Sequence, residues 1–336
     1  MRELLRPVVV APMAGGPSTP ALVIAGGEAG ALGFLAAGYK APETVEDEVR
    51  AVRASGHAYG LNLFVPSPPA TDPGPLEAYR EELRPEAERY DVELPPLRLS
   101  DDDHYAAKVE LAVAYRIPLV SFTFGVPERG VVRALRAAGC AVLITVTSAG
   151  EARRALAAGP DALIAQGGTA GGHSATTSPG VYRGGATAAG TLAEVVLAAA
   201  PVPVIAAGGT ASGSDVRRLL AAGAAAVQCG TAFLLADEAG TRAVQRAAMI
   251  SGTYTETVVT RAFTGQPARA LRNRFVIEHS ATAPIGYPAI HHLTAPIRAA
   301  AAAAGDPEAL NLWAGTGFAA ARPKPIAGIV AELSTG

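Results

Sequence analysis

The stretch 202–230, VPVIAAGGTASGSDVRRLLAAGAAAVQCG, sets two short apolar runs on either side of a segment with helical spacing. The first run, VPVIAAG (202–208), stops at Gly208 and Gly209, and the second, AAVQCG (225–230), stops at Gly230 and Thr231. Ser212 or Ser214 can cap the helix between them. Strand, helix and strand in this order form one βα unit of a parallel sheet, because parallel strands need a crossover rather than a tight turn.

The same unit repeats outward from this stretch. Six further runs are VVVAPM (8–13), ALGFLA (31–36), AYGLNLFV (58–65), PLVSFTFG (118–125), AVLITVT (141–147) and ALIAQG (162–167). With Met13, Ala36, Asn62, Thr123, Thr145, Gln166, Ala207 and Gln228 as strand ends, the steps are 23, 26, 61, 22, 21, 41 and 21 residues. Eight units predict a (β/α)8 (TIM) barrel over 1–235, with ligands at the carboxyl ends of its strands. The two long steps place an insertion at 66–103 after strand three and a glycine-rich loop after strand six. The insertion is predicted to hold one amphipathic helix at 76–90 and to act as a cap or an interface element. A loop this long without apolar periodicity is expected to be functional. The remaining residues, 236–336, are predicted to form a helical and irregular lobe over the barrel mouth.

Composition narrows the partners. Lys and Arg number 28 against 30 Asp and Glu, a net charge of -2 that excludes a field able to hold nucleic acid or an acidic membrane. A hydrophobic fraction of 49% with 17% charged residues fills a core and is far from disordered compositions. The 20-residue uncharged stretch 195–214 is interrupted by Pro201, Pro203 and Gly208-Gly209, which argues against a membrane helix. Cys140 and Cys229 form neither a disulfide framework nor a metal cluster. Without a signal-peptide pattern at the N-terminus, a cytoplasmic location is expected.

Chemistry-bearing residues gather at the predicted strand ends. Small residues after strands seven and eight let backbone amides approach a phosphate, and both positions carry them here. Strand six runs into QGGTAGGH (166–173), where four glycines in six positions lead to His173. An imidazole with a pKa near neutrality on such a loop is suited to taking a carbon-bound proton. Asn62 interrupts an apolar strand, so its amide must be paired, either with a ligand's ring or ribityl oxygens or with a neighbouring loop. Met13 either lies against a flat ring or is a plain core methionine; both readings stay open. No P-loop, GxGxxG, paired-cysteine or GxSxG pattern occurs, and adjacent His291 and His292 must point apart.

As an ordered set, APMAGG (11–16), the Asn62 strand, SFTFGVP (121–127), QGGTAGGH, AAGG and QCGT resemble the nitronate monooxygenase family, and WAGTGF near the end resembles a family tail motif. That family consists of FMN-dependent barrel enzymes. The resemblance implies that Asn62, Gln166, Gly171, Gly208 or Gly209, and Gln228, Cys229, Gly230 and Thr231 contact FMN, and Met13 is counted with them. It implies that His173 is the base near flavin N5. No metal is expected. The implied reaction is oxidation of alkyl nitronates by O2 to a carbonyl compound and nitrite, with a small-molecule substrate and O2 as partners and a homodimer as an open option. Thr169 stands where the family often has Glu, Ser174-Ala175 where it has Arg-Gly, and Thr316 where it has Gln; these departures bear on the substrate. The alternatives are an NAD(P)H-dependent FMN reductase of the enoyl or quinone reductase kind, and a non-catalytic flavin binder.

Overall fold

A computed structural model describes residues 3–69 and 71–335. Within them the eight predicted runs form strands, each trimmed by one or more residues at one or both ends of its apolar run. They are β1 (Val8–Val10), β2 (Leu32–Ala36), β3 (Tyr59–Phe64), β4 (Leu119–Thr123), β5 (Ala141–Val146) and β6 (Ala162–Gln166), then, after a two-residue strand β7 (Gly172–His173), β8 (Val204–Ala207) and β9 (Ala226–Cys229). All but β7 pair in parallel in the order β1-β2-β3-β4-β5-β6-β8-β9 and close on themselves, with Val9 of β1 opposite Gln228 of β9. The expected (β/α)8 barrel is present.

Alternation along each strand separates two environments. Outward side chains such as Leu61, Leu63, Val120 and Val142 pack beneath the helices. Inward ones divide by height. Val9, Leu32, Phe34, Leu119, Leu143, Ile164 and Ile205 fill the lower barrel, with Leu4 and Leu5 packed against them. Above them, Asn62, Thr123, Thr145, Gln166 and Gln228 form a polar layer facing a cavity at the mouth. The lower layer needs Gly60, since a Cβ there would fall inside the Phe34 ring.

A second core lies above the mouth. The insertion holds two helices, Gly74–Glu82 and Arg84–Arg89, where one was expected; the chain turns between them at Leu83. Leu76, Tyr79 and Leu83 pack with Phe263, Phe275, Ile290 and Ile297 from the tail, so insertion and tail share one apolar cluster. The tail also contains two strands the sequence reading did not foresee, β10 (Thr257–Thr260) and β11 (Ala268–Leu271), which form a sheet of order β10-β11-β7. Their apolar runs are short and carry Arg269 in the middle, which hides a strand pattern. The final helix, Ile326–Thr335, leaves the lobe and packs through Ile326, Ile329, Val330 and Leu333 with Leu22, Val216 and Phe233 on the barrel wall. No helix among the described residues is long and apolar enough to cross a membrane.

The fit of Phe34 over Gly60 generates a stability contrast. Gly60→Ala is expected to cost about 1–3 kcal/mol by overpacking. Gly130→Ala, in the helix Arg129–Ala137 with nothing within 4 Å of the added Cβ, is expected to leave stability unchanged or raise it by about 0.5–1 kcal/mol. Urea unfolding of the two variants checks this, and equal stabilities would refute the packing account.

Candidate active site

The polar layer and the lobe enclose a cavity of about 410 Å³, within the range of small-molecule and cofactor sites. The loop after β6 forms much of its wall. Gly172 and His173 pair antiparallel with Arg269 and Ala268 of β11, which fixes the histidine against the lobe. Gln166 fastens the same loop, donating from Nε2 to the His173 carbonyl (3.0 Å) and accepting at Oε1 from Ala175 N–H (2.7 Å). Further along, the buried Glu151 carboxylate accepts from the Thr176 and Thr177 hydroxyls, the Thr177 amide and Thr147. Arg269 reaches the Gly168 and Gly184 carbonyls at 2.7 and 3.0 Å. A loop so rich in glycine is costly to order, and these bonds offset that cost.

The His173 ring borders the cavity with Phe124, Tyr287 and Trp313 around it, at centroid distances of 5.6, 6.0 and 5.3 Å. Its Nε2 lies 3.0 Å from Thr264 Oγ1. The Thr264 hydroxyl donates to the Gln266 carbonyl (3.3 Å), so it accepts from Nε2–H and leaves the lone pair on Nδ1. Burial, and then the positive charge of Arg298, hold the imidazole pKa down at about 3 from 6.5. The ring is neutral at physiological pH and a much weaker base than the near-neutral imidazole expected from the sequence, so a proton on it needs an anion beside it.

The other expected contacts distribute as follows. Asn62 is buried and donates from Nδ2 to the Ser121 hydroxyl (2.9 Å) and the Thr123 hydroxyl (3.0 Å) of β4; among the described residues its Oδ1 has no hydrogen-bond donor. Gln228 lines the cavity with a buried Oε1 that has no hydrogen-bond partner among the described residues, as do Thr210 Oγ1 and Asn311 Oδ1. Gly208 and Gly209 have φ of +119° and +66° and bring the backbone to the cavity edge. A Cβ on Gly209 would meet the Thr169 and Thr316 side chains at 2.8–2.9 Å. Gly171 packs on the backbone of Ala314 and Gly315, and Thr231 Oγ1 accepts from Gly315 N–H at 2.9 Å, so both also fasten the tail. Met13 lines the cavity near Gly230. Cys229 differs: its sulfur faces outward among Val10, Phe233 and Ile326, where burial pushes the thiol up to about 12. Only its backbone can serve a ligand.

Several wall residues escaped the sequence reading. Tyr39 and His291 stack at 4.2 Å, 7° from parallel. Tyr287, His291 and Arg298 come from the lobe; only the helical spacing of His291 and Arg298 could have flagged those two, and Tyr287 lies just before their helix. His292 turns away to Asp101 (2.8 Å), as neighbouring residues on a helix must. The three orphaned polar atoms, the glycine backbone at the rim and the aromatic walls fit a flat, polar-edged ring system bearing a phosphate, such as a flavin.

Comparisons with known proteins show the family of the whole chain. A family model described as nitronate monooxygenase matches residues 1–336. A probable nitronate monooxygenase of Staphylococcus aureus strain MSSA476 is 34% identical, with 99% of this chain and 94% of that protein covered. A crystal structure of nitroalkane oxidase from Streptomyces ansochromogenes superposes with a TM-score of 0.94 at 45% identity, covering 99% of this chain and 96% of that one. FabK from Thermotoga maritima is more distant, with a TM-score of 0.76 at 26% identity over 98% and 92% of the two chains. With a family match over its whole length on a barrel whose mouth suits a flavin, the chain belongs to the nitronate monooxygenase family of flavin-dependent oxidoreductases.

Proposed function

We propose that this enzyme uses FMN to oxidise alkyl nitronates with O2, giving a carbonyl compound and nitrite, and that His173 removes the α-proton when a neutral nitroalkane is offered. The observation that carries the reading is a neutral imidazole fixed by β7 in a cavity whose other walls hold unpaired polar atoms. When bound, FMN supplies one-electron chemistry between the substrate and O2, so no nicotinamide is needed.

The chain's own residues bind, orient and exclude water. The backbone at Gly208, Gly209, Gly230 and Thr231 is placed for the phosphate, and Gln228 Oε1, Asn62 Oδ1 and Asn311 Oδ1 accept from ring or ribityl donors. Thr264 fixes the imidazole tautomer, while Phe124, Tyr287 and Trp313 limit water around it. Nδ1 takes the proton and holds it beside the new anion, which in turn favours the imidazolium. FMN rather than FAD is supported by one pair of glycine turns for one phosphate and by a sequence without a dinucleotide fingerprint.

Three measurements test this. Flavin released from purified protein by denaturation is expected to run as FMN on chromatography; a colourless protein that binds no added FMN would refute the cofactor assignment. Anaerobic NAD(P)H that bleaches the flavin stoichiometrically would favour the reductase alternative, and a flavin inert to both nitronate and NAD(P)H would favour a non-catalytic binder.

His173→Ala is expected to lower kcat/KM for neutral nitroalkanes by about 10²-fold or more at equal flavin loading. A nitronate prepared in advance has already lost its proton and should suffer less. Equal losses on both forms would remove His173 from the base role.

The depressed pKa also predicts a pH effect. Between about 3 and 6.5 the unfolded chain binds a proton at His173 that the folded protein does not. Stability is therefore full above pH 6.5 and falls as the pH drops toward 3. At pH 5.5 this residue accounts for a loss of at most about 1.4 kcal/mol. The difference in urea-unfolding free energy between pH 7.5 and 5.5 should shrink by up to that amount in His173→Ala; an unchanged difference would show that the folded protein protonates this ring.

A further inference from the structure

Arg298, on the helix Ala289–Ala303, is a buried cation with no counter-ion. It is 7% exposed and makes no salt bridge among the described residues, whereas buried Lys108 is paired with Asp103 and Arg274 with Glu86. Its Nη2 donates to the His291 carbonyl (2.7 Å) and its Nε to the Thr294 hydroxyl (3.1 Å), while Nη1 has no protein acceptor among the described residues. Burial lowers its pKa to about 10, which leaves it charged at neutral pH. Tyr39 gives no compensation, because burial pushes its hydroxyl up to about 12 and keeps it neutral.

The surroundings deepen the imbalance. The described residues lining the cavity include Arg298, Arg242, His173 and His291 but no Asp or Glu. Arg242 is exposed at the rim, where water screens it. A buried charge without a partner is costly, so a site that keeps one is built for an anion from outside the protein. Arg298 stands on the lobe wall beside His291, and its charge is felt by His173. The anion it receives is therefore placed near the candidate base.

We propose that Arg298 receives the ionised nitro group of the substrate and makes the site selective for the nitronate over the neutral nitroalkane. The inference rests on the nitronate reading of this cavity. With Nε on Thr294 and Nη2 held by the His291 carbonyl and 3.4 Å from His291 Nδ1, Nη1 is the group left to make a charge-assisted hydrogen bond to the planar O–N–O anion. Small oxyanions of the same shape, nitrite and nitrate among them, should occupy the same place.

The test is titration of the flavin-loaded enzyme with sodium nitrate at constant ionic strength, read as a flavin difference spectrum, together with steady-state kinetics. Nitrate should perturb the wild-type spectrum and compete with nitronate. Arg298→Met should weaken nitrate binding and raise KM for nitronate, each by about 10- to 100-fold, the range of a hydrogen bond to a charged group, with kcat changed far less and KM for a neutral nitroalkane nearly unaltered. Arg298→Lys should restore part of both. If Arg298→Met does not fold, Arg298→Gln is read in its place.

Unaltered nitrate affinity and KM in the variants would overturn the assignment, as would a wild type blind to nitrate. Loss of bound flavin in both Arg298→Met and Arg298→Lys would overturn it in favour of a cofactor role. A wild type that binds nitrate through Arg298 yet oxidises no nitronate would sink the proposed function and leave the anion site standing.

Discussion

The mouth of the barrel depends on one short pairing, Gly172 and His173 in antiparallel register with Arg269 and Ala268. The loop that carries the histidine has glycine at four of the six positions before it and could not hold one conformation alone. Pairing to β11 makes it an edge of the lobe's sheet, and Gln166, Glu151 and Arg269 tie its remaining carbonyls and amides. The lobe in turn rests on the insertion through Tyr79, whose hydroxyl donates to the Ala262 carbonyl. Barrel, insertion and tail therefore share responsibility for the position of one imidazole.

The sequence displayed the barrel well because each strand is an apolar run bounded by glycine or proline, and because its repeat is nearly constant outside two steps. It also displayed the polar upper layer, since Asn62, Gln166 and Gln228 interrupt otherwise apolar strands. What it concealed are contacts made between distant segments. Tyr39, Tyr287, His291 and Arg298 sit in segments with no local anomaly, and β10 and β11 are short strands that pair with each other and, through β11, with β7, which lies far away in sequence. The tail resolves into two destinations for a similar reason: the helix at Ile326–Thr335 has an ordinary amphipathic pattern that does not say which wall it meets.

Two departures from the family pattern, Thr169 and Thr316, prove to be neighbours. The Thr316 amide donates to the Thr169 carbonyl at 3.1 Å, and both side chains crowd the place where a Cβ on Gly209 would lie. Substitutions at these positions are coupled through that glycine, so their effects should not add. The charges follow a parallel division, with acidic groups such as Glu151 and Asp215 spent on anchoring loops and capping helices.

The plug formed by Phe34 over Gly60, with Leu4 and Leu5 beneath, closes the lower barrel, so the cavity opens toward the lobe. The lobe that holds His173 in place is therefore also the frame of the opening, and a motion that widened the opening would carry the histidine with it.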